Sequence, residues 1–250
     1  MAVGQLVDAY ADPDLGTFEL GFFEDGVHVR RSLAACWGVR FERVAPVRPF
    51  RWPKGGISFA GWYFCATTGE HIGYESWLER DRLILLDADP QVTGIASQPF
   101  WLHWHDGQRQ RRHAPDYFVR LASGRGRVVD VRAADRVDEA TTEAFEATER
   151  ACRAVDWEFV RAGIPDPVLM ANMRWLSRYR RRRCLRQDVA DRLMEVFAEP
   201  RPLRPGAAEA GDPLMVLPVL FHLVWSGVLV IDVASRLLGS DSVVYVVRGL

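Results

Sequence analysis

Two stretches of helical periodicity, residues 74–87 and 139–155, enclose a run of short extended segments, and few folds accommodate that order. On the first stretch Trp77, Leu78, Ile84, Leu85 and Ala88 recur near the 3.6-residue period. After Asp89-Pro90 the pattern predicts strands over 92–96, 100–104, 116–121 and 127–132. Asp106-Gly107 and Ser123-Gly124-Arg125-Gly126 supply turns between them. A further short strand is expected at 157–161, after the second helix. Helix, meander, helix and strand make an α/β core in which a mixed central sheet is flanked by helices.

The flanks are less regular. Residues 18–30 read as a hairpin turning at Glu24-Asp25-Gly26, and residues 61–74 as another turning at Thr68-Gly69. Pro46, Pro49 and Pro53 with Gly55-Gly56 mark a loop, and Ile164-Pro165-Asp166-Pro167 marks a boundary. Beyond it we expect a helix through 174–179 and a second carrying Leu185, Val189, Leu193, Val196 and Phe197. The Pro, Gly and Ala-rich residues 200–213 read as a linker or exposed loop, and 214–248 as helix, strand, turn and strand. Three regions follow: a β-rich extension over 1–57 packed on the core, the core itself over 58–165, and a smaller helical, winged-helix-like region over 166–250.

Bulk properties exclude little. A formal charge of −1 and 48% hydrophobic residues suit an ordinary globular chain, so any nucleic-acid surface must come from the distribution of charge. Cys36, Cys65, Cys152 and Cys184 form no C-x-x-C pair and suit reduced thiols. Met1 to Gln5 has neither a basic region nor an apolar core, so a cytoplasmic protein is expected rather than a secreted one. The apolar run 214–231, broken by Pro218, His222 and Ser226-Gly227, reads as a buried helix and strand rather than a membrane span. Lys54 is the only lysine, so basic positions in this chain are filled by arginine.

Acidic residues give the central segments their chemical interest. Glu75 and Glu79 lie four apart on the first helix, Asp116 opens one strand and Asp130 lies on the next. Alternation places Tyr117, Val119, Leu121, Val129 and Val131 on an apolar face and Asp116, Arg120, Asp130 and Arg132 on the other. A turn centred near Gly124 sets Asp116 opposite Arg132 and diagonal to Asp130, and leaves Phe118 unexplained on the polar face. Two strand carboxylates and one from a helix form an oxygen-rich set suited to Mg²⁺ or Mn²⁺. With such an ion the set is how a metal-dependent nuclease is built, Arg132 holding the scissile phosphate without acting as a base. Each acid read singly is a solvated charge or a cross-strand ion pair.

The order of these marks resembles the TnsA-type endonuclease subunit of heteromeric transposases, within the PD-(D/E)xK, restriction-endonuclease-like nucleases. The resemblance rests on Glu75-Ser76-x-Leu78-Glu79-Arg80-Asp81, Asp89-Pro90-x-Val92, Gln98-Pro99, Pro115-Asp116-Tyr117, Val129-Asp130-Val131-Arg132 and Asn172-x-x-Trp175-Leu176-x-x-Tyr179-Arg180. It implies a restriction-endonuclease-like fold and a divalent-metal-dependent cut of one DNA strand at transposon ends. Glu79, Asp116 and Asp130 would be the metal ligands, with Arg132 as fourth catalytic residue and Glu75 and Gln98 just outside the ligand set. Glu75 is the alternative helix acid. Arg132 stands where the family usually has lysine, and Asp130 where it often has Glu or Gln. The implied partners are DNA, a TnsB-like transposase of the RNase H-like type and a TnsC-like ATPase. A homodimer stays open, as do a catalytically degenerate DNA-binding or assembly subunit and a solitary nuclease of defence or DNA processing.

Arg178, Arg180, Arg181, Arg182, Arg183 and Arg186 crowd one helix or helix junction, where phosphate contacts would make DNA binding salt-dependent. The bland alternative is a solvated face paired with Asp188 and Asp191. His103, His105 and His113 lack the spacing of a zinc set, and His222 between Phe221 and Leu223 reads as a core histidine.

Overall fold

The structure is a computed structural model that describes residues 16–50 and 59–246. The chain divides into two compact units, one drawn from Met1–Tyr63, His71–Arg80 and Gln91–Ile164, the other from Phe64–Glu70, Asp81–Pro90 and Pro165–Leu250. The loop expected around Pro53 and Gly55-Gly56 lies outside the described residues.

In the first unit, β1 (Glu19–Glu24) and β2 (Val27–Ser32) form an antiparallel hairpin. Asp25 and Gly26 both take positive φ, 50° and 80°, as a two-residue turn matching strand twist requires. A second hairpin joins β3 (Gly61–Phe64) to β4 (His71–Tyr74). Helix α1 (Trp77–Ala88) follows, its first residues counted with this unit and Asp81 onward with the other. Then come β5 (Val92–Ser97), β6 (Trp101–His105), β7 (Gln110–His113), β8 (Tyr117–Leu121), β9 (Gly126–Val131), helix α2 (Glu139–Ala154) and β10 (Glu158–Ala162).

These strands form two four-stranded sheets, ordered β2-β1-β6-β7 and β10-β9-β8-β5. In the second, β10 and β9 are parallel through α2, while β9-β8 and β8-β5 are antiparallel. Strand β7 went unpredicted because Gln110-Arg111-Arg112-His113 is an edge strand with no apolar alternation.

The β8-β9 register corrects the sequence expectation. Tyr117 pairs with Val129 and Arg120 with Gly126, so continuing one residue sets Asp116 level with Asp130, not with Arg132. The turn is tighter than expected: Leu121 N–H donates to the Arg125 carbonyl at 3.0 Å, and Gly124 takes φ +86°. A two-residue shift preserves which side chains share a face.

The presumed polar face is also corrected. Phe118 and Val128 are fully buried there, in a cluster with Phe22, Phe41, Phe100 and Trp157. Phe41 meets Phe22, Phe100 and Trp157 edge-on at centroid distances of 5.1, 5.0 and 5.6 Å. Gly126 permits this packing, since a Cβ there would lie 2.7 Å from the Phe118 ring. With Tyr117, Val119 and Val129 buried on the opposite face, the hairpin is covered on both sides. Only the strand ends are left for polar chemistry.

In the second unit the buried side of α1 comprises Leu83, Ile84 and Leu86 together with Asp81 and Asp87. The expected stripe through Trp77 and Leu85 is displaced because both aspartates find partners inside. Helices α3 (Pro167–Leu176), capped by Asp166, and α4 (Gln187–Val196) follow. Next are β11 (Arg201–Pro202), α5 (Leu203–Ala210), α6 (Pro213–Trp225), β12 (Leu229–Ile231) and β13 (Val243–Val246). The three strands pair antiparallel in the order β11-β13-β12.

Residues 200–213 therefore do not form a linker. Leu203, Gly206, Ala207 and Ala210 make a buried stripe on α5, and a Cβ at Gly206 would lie 2.4 Å from the Phe197 ring. Small residues that suggest a loop are here the condition for close helix packing. Helix α6 is largely buried, and His222 within it holds Nδ1 2.8 Å from the Tyr179 carbonyl oxygen, as expected of a satisfied core histidine. Among the described residues no single helix is long and apolar enough to cross a membrane.

Candidate active site

The acids of interest in the first unit lie at the start of α1 and at one end of the β8-β9 pair. Helix α1 begins at Trp77, later than the periodicity suggested, because Ser76 caps it. Ser76 Oγ accepts from Glu79 N–H at 3.2 Å, and its hydroxyl donates to Glu79 Oε1 at 2.8 Å. Glu79 Oε2 accepts the Glu75 N–H at 2.7 Å, completing a capping-box arrangement. Glu79 thus has a local structural role at the start of the helix. Burial pushes its carboxyl upward and the charge of Glu75 adds to this, against the hydrogen bonds from Glu75 N–H and Ser76.

Asp116 is a second raised acid. Burial raises it well above the ordinary carboxylate value, and the charges of Asp130 and Glu79 push the same way. Opposing them are one backbone donor, Val131 N–H at 2.7 Å from Oδ2, and the charge of Arg48. A half-buried, desolvated carboxyl with like charges beside it and so little compensation is the pattern expected of a functional group or of a group that awaits a cation. Asp130, 2% exposed, has both oxygens against His113 Nε2, at 2.9 and 3.0 Å.

Gln98, the other residue expected beside the ligands, is 2% exposed and holds φ at +47°, a strained value for a side-chain-bearing residue. Its N–H donates to the Asp116 carbonyl oxygen and its own carbonyl accepts from Val47 N–H, both at 2.9 Å. With the amide assigned in the orientation that satisfies both of its ends, its nitrogen donates to the Arg48 carbonyl oxygen and its oxygen accepts from Arg48 Nη2, each at 3.2 Å. Arg48 in turn grips Glu75 with two bonds of 2.8 Å. Burial alone would lower the guanidinium, but Glu75, Asp116 and Glu79 outweigh it and hold the charge.

The structure thus brings Glu75, Glu79, Asp116, Asp130 and Gln98 into one electrostatic neighbourhood. Arg132 is placed otherwise: it is exposed, and its Nε–H donates to the Arg136 carbonyl oxygen at 3.2 Å. Among the described residues no ion pair joins Arg132 to Asp116 or Asp130. Arg48 and His113 were missed as site residues. Arg48 stands in a proline-rich segment without local periodicity, and His113 was weighed only against zinc spacing.

The all-oxygen donor set fits a hard divalent ion in chemistry. Its side chains are instead turned to protein donors, and among the described residues no three His, Cys, Asp or Glu groups converge as a metal cluster.

Residues 89–161 match the family model for the TnsA-like endonuclease N terminal. Over that segment the chain is similar to TnsA-like endonucleases. The match spans Asp116, Asp130 and Arg132 and begins after Glu79, so the TnsA-like segment covers the strand acids but not the helix acid. A search of curated proteins found no match.

The second unit carries the arginine run. Arg178, Arg182, Arg183 and Arg186 are exposed, Arg186 pairing with Asp188 at 3.0 Å. Arg181 stacks on the Phe64 ring at 4.6 Å, and Arg180 turns inward to the Phe64 carbonyl oxygen at 2.9 Å. Asp191 accepts from Gln187, not from an arginine.

Proposed function

We propose that this TnsA-like chain is a divalent-metal-dependent DNA endonuclease that hydrolyses phosphodiester bonds at the end of the β8-β9 pair. One observation carries the reading: the half-buried Asp116 is raised by desolvation and by the charges of Asp130 and Glu79, offset among the described residues by a backbone N–H and Arg48. Acids that raise one another in this way destabilise the site unless a cation shares it. Glu79, Asp116 and Asp130 would hold Mg²⁺ or Mn²⁺, an ion that supplies an activated water and positive charge for the phosphodiester. His113 and the Val131 N–H fix the two strand carboxylates at the mouth of the sheet.

The restriction-endonuclease-like fold is supported by the sheet order β10-β9-β8-β5 with one parallel pair through α2. A winged-helix reading of the second unit is supported by its order of helix, strand, two helices and two strands, with the first strand paired to the last. Exposed Arg178, Arg182 and Arg183 suit DNA phosphates. The family relation makes one-strand cleavage at transposon ends, alongside a transposase and an ATPase, the substrate and partners we propose, in a cytoplasmic setting.

A second reading, a DNA-binding or assembly subunit with a silent centre, is favoured by the outward turn of Arg132. Incubating purified protein with duplex DNA and Mg²⁺ or Mn²⁺ separates the two. Cutting that Asp116→Ala and Asp130→Ala abolish supports the nuclease. Cutting that survives both substitutions, or none by the parent, overturns it.

A further inference from the structure

The family pattern assigns the site's cation to residue 132, but the structure offers a different arginine to the acids. Arg48 is on neither strand nor helix, and it is held in place by tethers rather than by periodicity. Val47 N–H binds the Gln98 carbonyl, and Gln98 N–H binds the Asp116 carbonyl, so a backbone path of two hydrogen bonds links the Arg48 segment to Asp116. In the amide orientation that satisfies both of its ends, Gln98 then holds Arg48 at both its carbonyl oxygen and Nη2. The strained +47° φ of Gln98 belongs to this same link. The guanidinium that results lies against Glu75 and within the fields of Asp116 and Glu79. Its side chain remains 23% exposed, so solvent reaches this edge of the cluster. Arg132 spends its Nε–H on the Arg136 carbonyl and acts on Asp138, a different group.

We propose that Arg48, rather than Arg132, is the phosphate-binding cation of this site, with Glu75 as the carboxylate it releases when DNA arrives. The inference rests on the endonuclease reading above. A planar guanidinium presents parallel N–H donors that match two carboxylate oxygens and equally two non-bridging phosphate oxygens. Glu75 therefore keeps the fork oriented until substrate takes its place. Gln98 holds the Nη2 side throughout, so the exchange needs no rebuilding of the segment. No bond is made or broken in this step; one anionic partner of the guanidinium replaces another.

The test is binding of a fluorescent DNA duplex to the full chain across a NaCl series, in EDTA and in Mg²⁺, beside a cleavage assay. Arg48→Ala should lower affinity severalfold and flatten the plot of log K against log salt by about one unit, the signature of one lost phosphate contact. Arg48→Lys should restore the slope but only part of the cutting rate, because it keeps the charge without the fork. Glu75→Gln, which frees the guanidinium, should bind DNA as tightly as the parent or more so. Arg132→Ala should change the slope less than Arg48→Ala. If Glu75→Gln loses affinity as Arg48→Ala does, the pair is a structural brace and the inference is overturned. It is equally overturned if Arg132→Ala flattens the slope and Arg48→Ala does not. A parent that cuts while Arg48→Ala retains slope and rate overturns the role of Arg48 alone. A parent that never cuts overturns the nuclease reading, and the slopes still decide whether Arg48 meets phosphate.

Discussion

Carboxylates with little access to solvent occur in both units, and their surroundings differ. In the second unit Asp87 accepts from Thr67 N–H and Oγ1 at 2.9 Å, from Ala66 N–H at 3.1 Å and from the Cys65 thiol at 3.1 Å. Burial and the neighbouring Asp87 push that thiol to about 11, so Cys65 stays a protonated donor at neutral pH. Asp81 is forked by Arg174, whose Nε lies 2.9 Å away. Each of these acids is enclosed by donors that the chain itself supplies. In the first unit Asp116 has one backbone donor and two acidic neighbours, and its carboxyl is raised accordingly. A protein that needed only a stable core would have no use for the second arrangement.

The sharpest way to break this contrast is Asp116→Ala. We expect cleavage in Mg²⁺ to fall on the order of 100-fold or more, with metal-free stability unchanged or raised. A fall in denaturant stability with no loss of cutting would make Asp116 a structural acid like Asp87. Arg174→Ala is the converse experiment. It removes the fork from Asp81 and should cost roughly 2–3 kcal/mol in urea unfolding, below the usual cost of breaking a fully buried pair because Arg174 is half exposed.

The pH dependence gives a third, smaller test. A carboxyl raised in the folded state keeps its proton to higher pH than in the unfolded chain, so its contribution favours folding below the ordinary value of 3.8 and is lost as pH rises through the raised value. Glu79 is raised too and acts with the same sign. The metal-free melting temperature should therefore carry a component that falls as pH rises above 3.8, and Asp116→Asn should remove most of it. At neutral pH, Mg²⁺ should raise the melting temperature of the parent by a few degrees and leave Asp116→Asn unmoved. Unfolding scans from pH 4 to 8, with and without Mg²⁺, check both statements. The smallest effect is expected at Arg132→Ala: less than about 0.5 kcal/mol in stability, as for an exposed side chain whose partner is one carbonyl. A large loss of cutting from that variant would return the cation role to residue 132.

The sequence was most legible where one physical rule acted alone. The hairpin at Asp25-Gly26 was readable because its turn demands positive φ, and α2 because its apolar period is unbroken. The register of β8-β9 was not, since the alternation it obeys is the same for any shift of two residues. Phe118 looked misplaced only because the layer that covers it, including Phe41 and Trp157, comes from distant parts of the chain. Residues 200–213 misled for the opposite reason, as glycine and alanine signal a loop by composition and a tight helix contact by location.

What the sequence determined by itself is the inventory of the candidate site: an acid on a helix behind a serine cap, Pro-Asp before one strand and Asp-x-Arg on the next. Those are local patterns, and local chemistry is enough to write them. Which cation would meet those acids was decided only by tertiary structure. Arg132 is near Asp130 in sequence but is exposed and bonded to the Arg136 carbonyl, while Arg48 is far from Asp116 in sequence and linked to it through Gln98. Alternation along a strand fixes the face a side chain leaves from, but a long arginine goes where its donors are satisfied, and those acceptors belong to other segments of the fold.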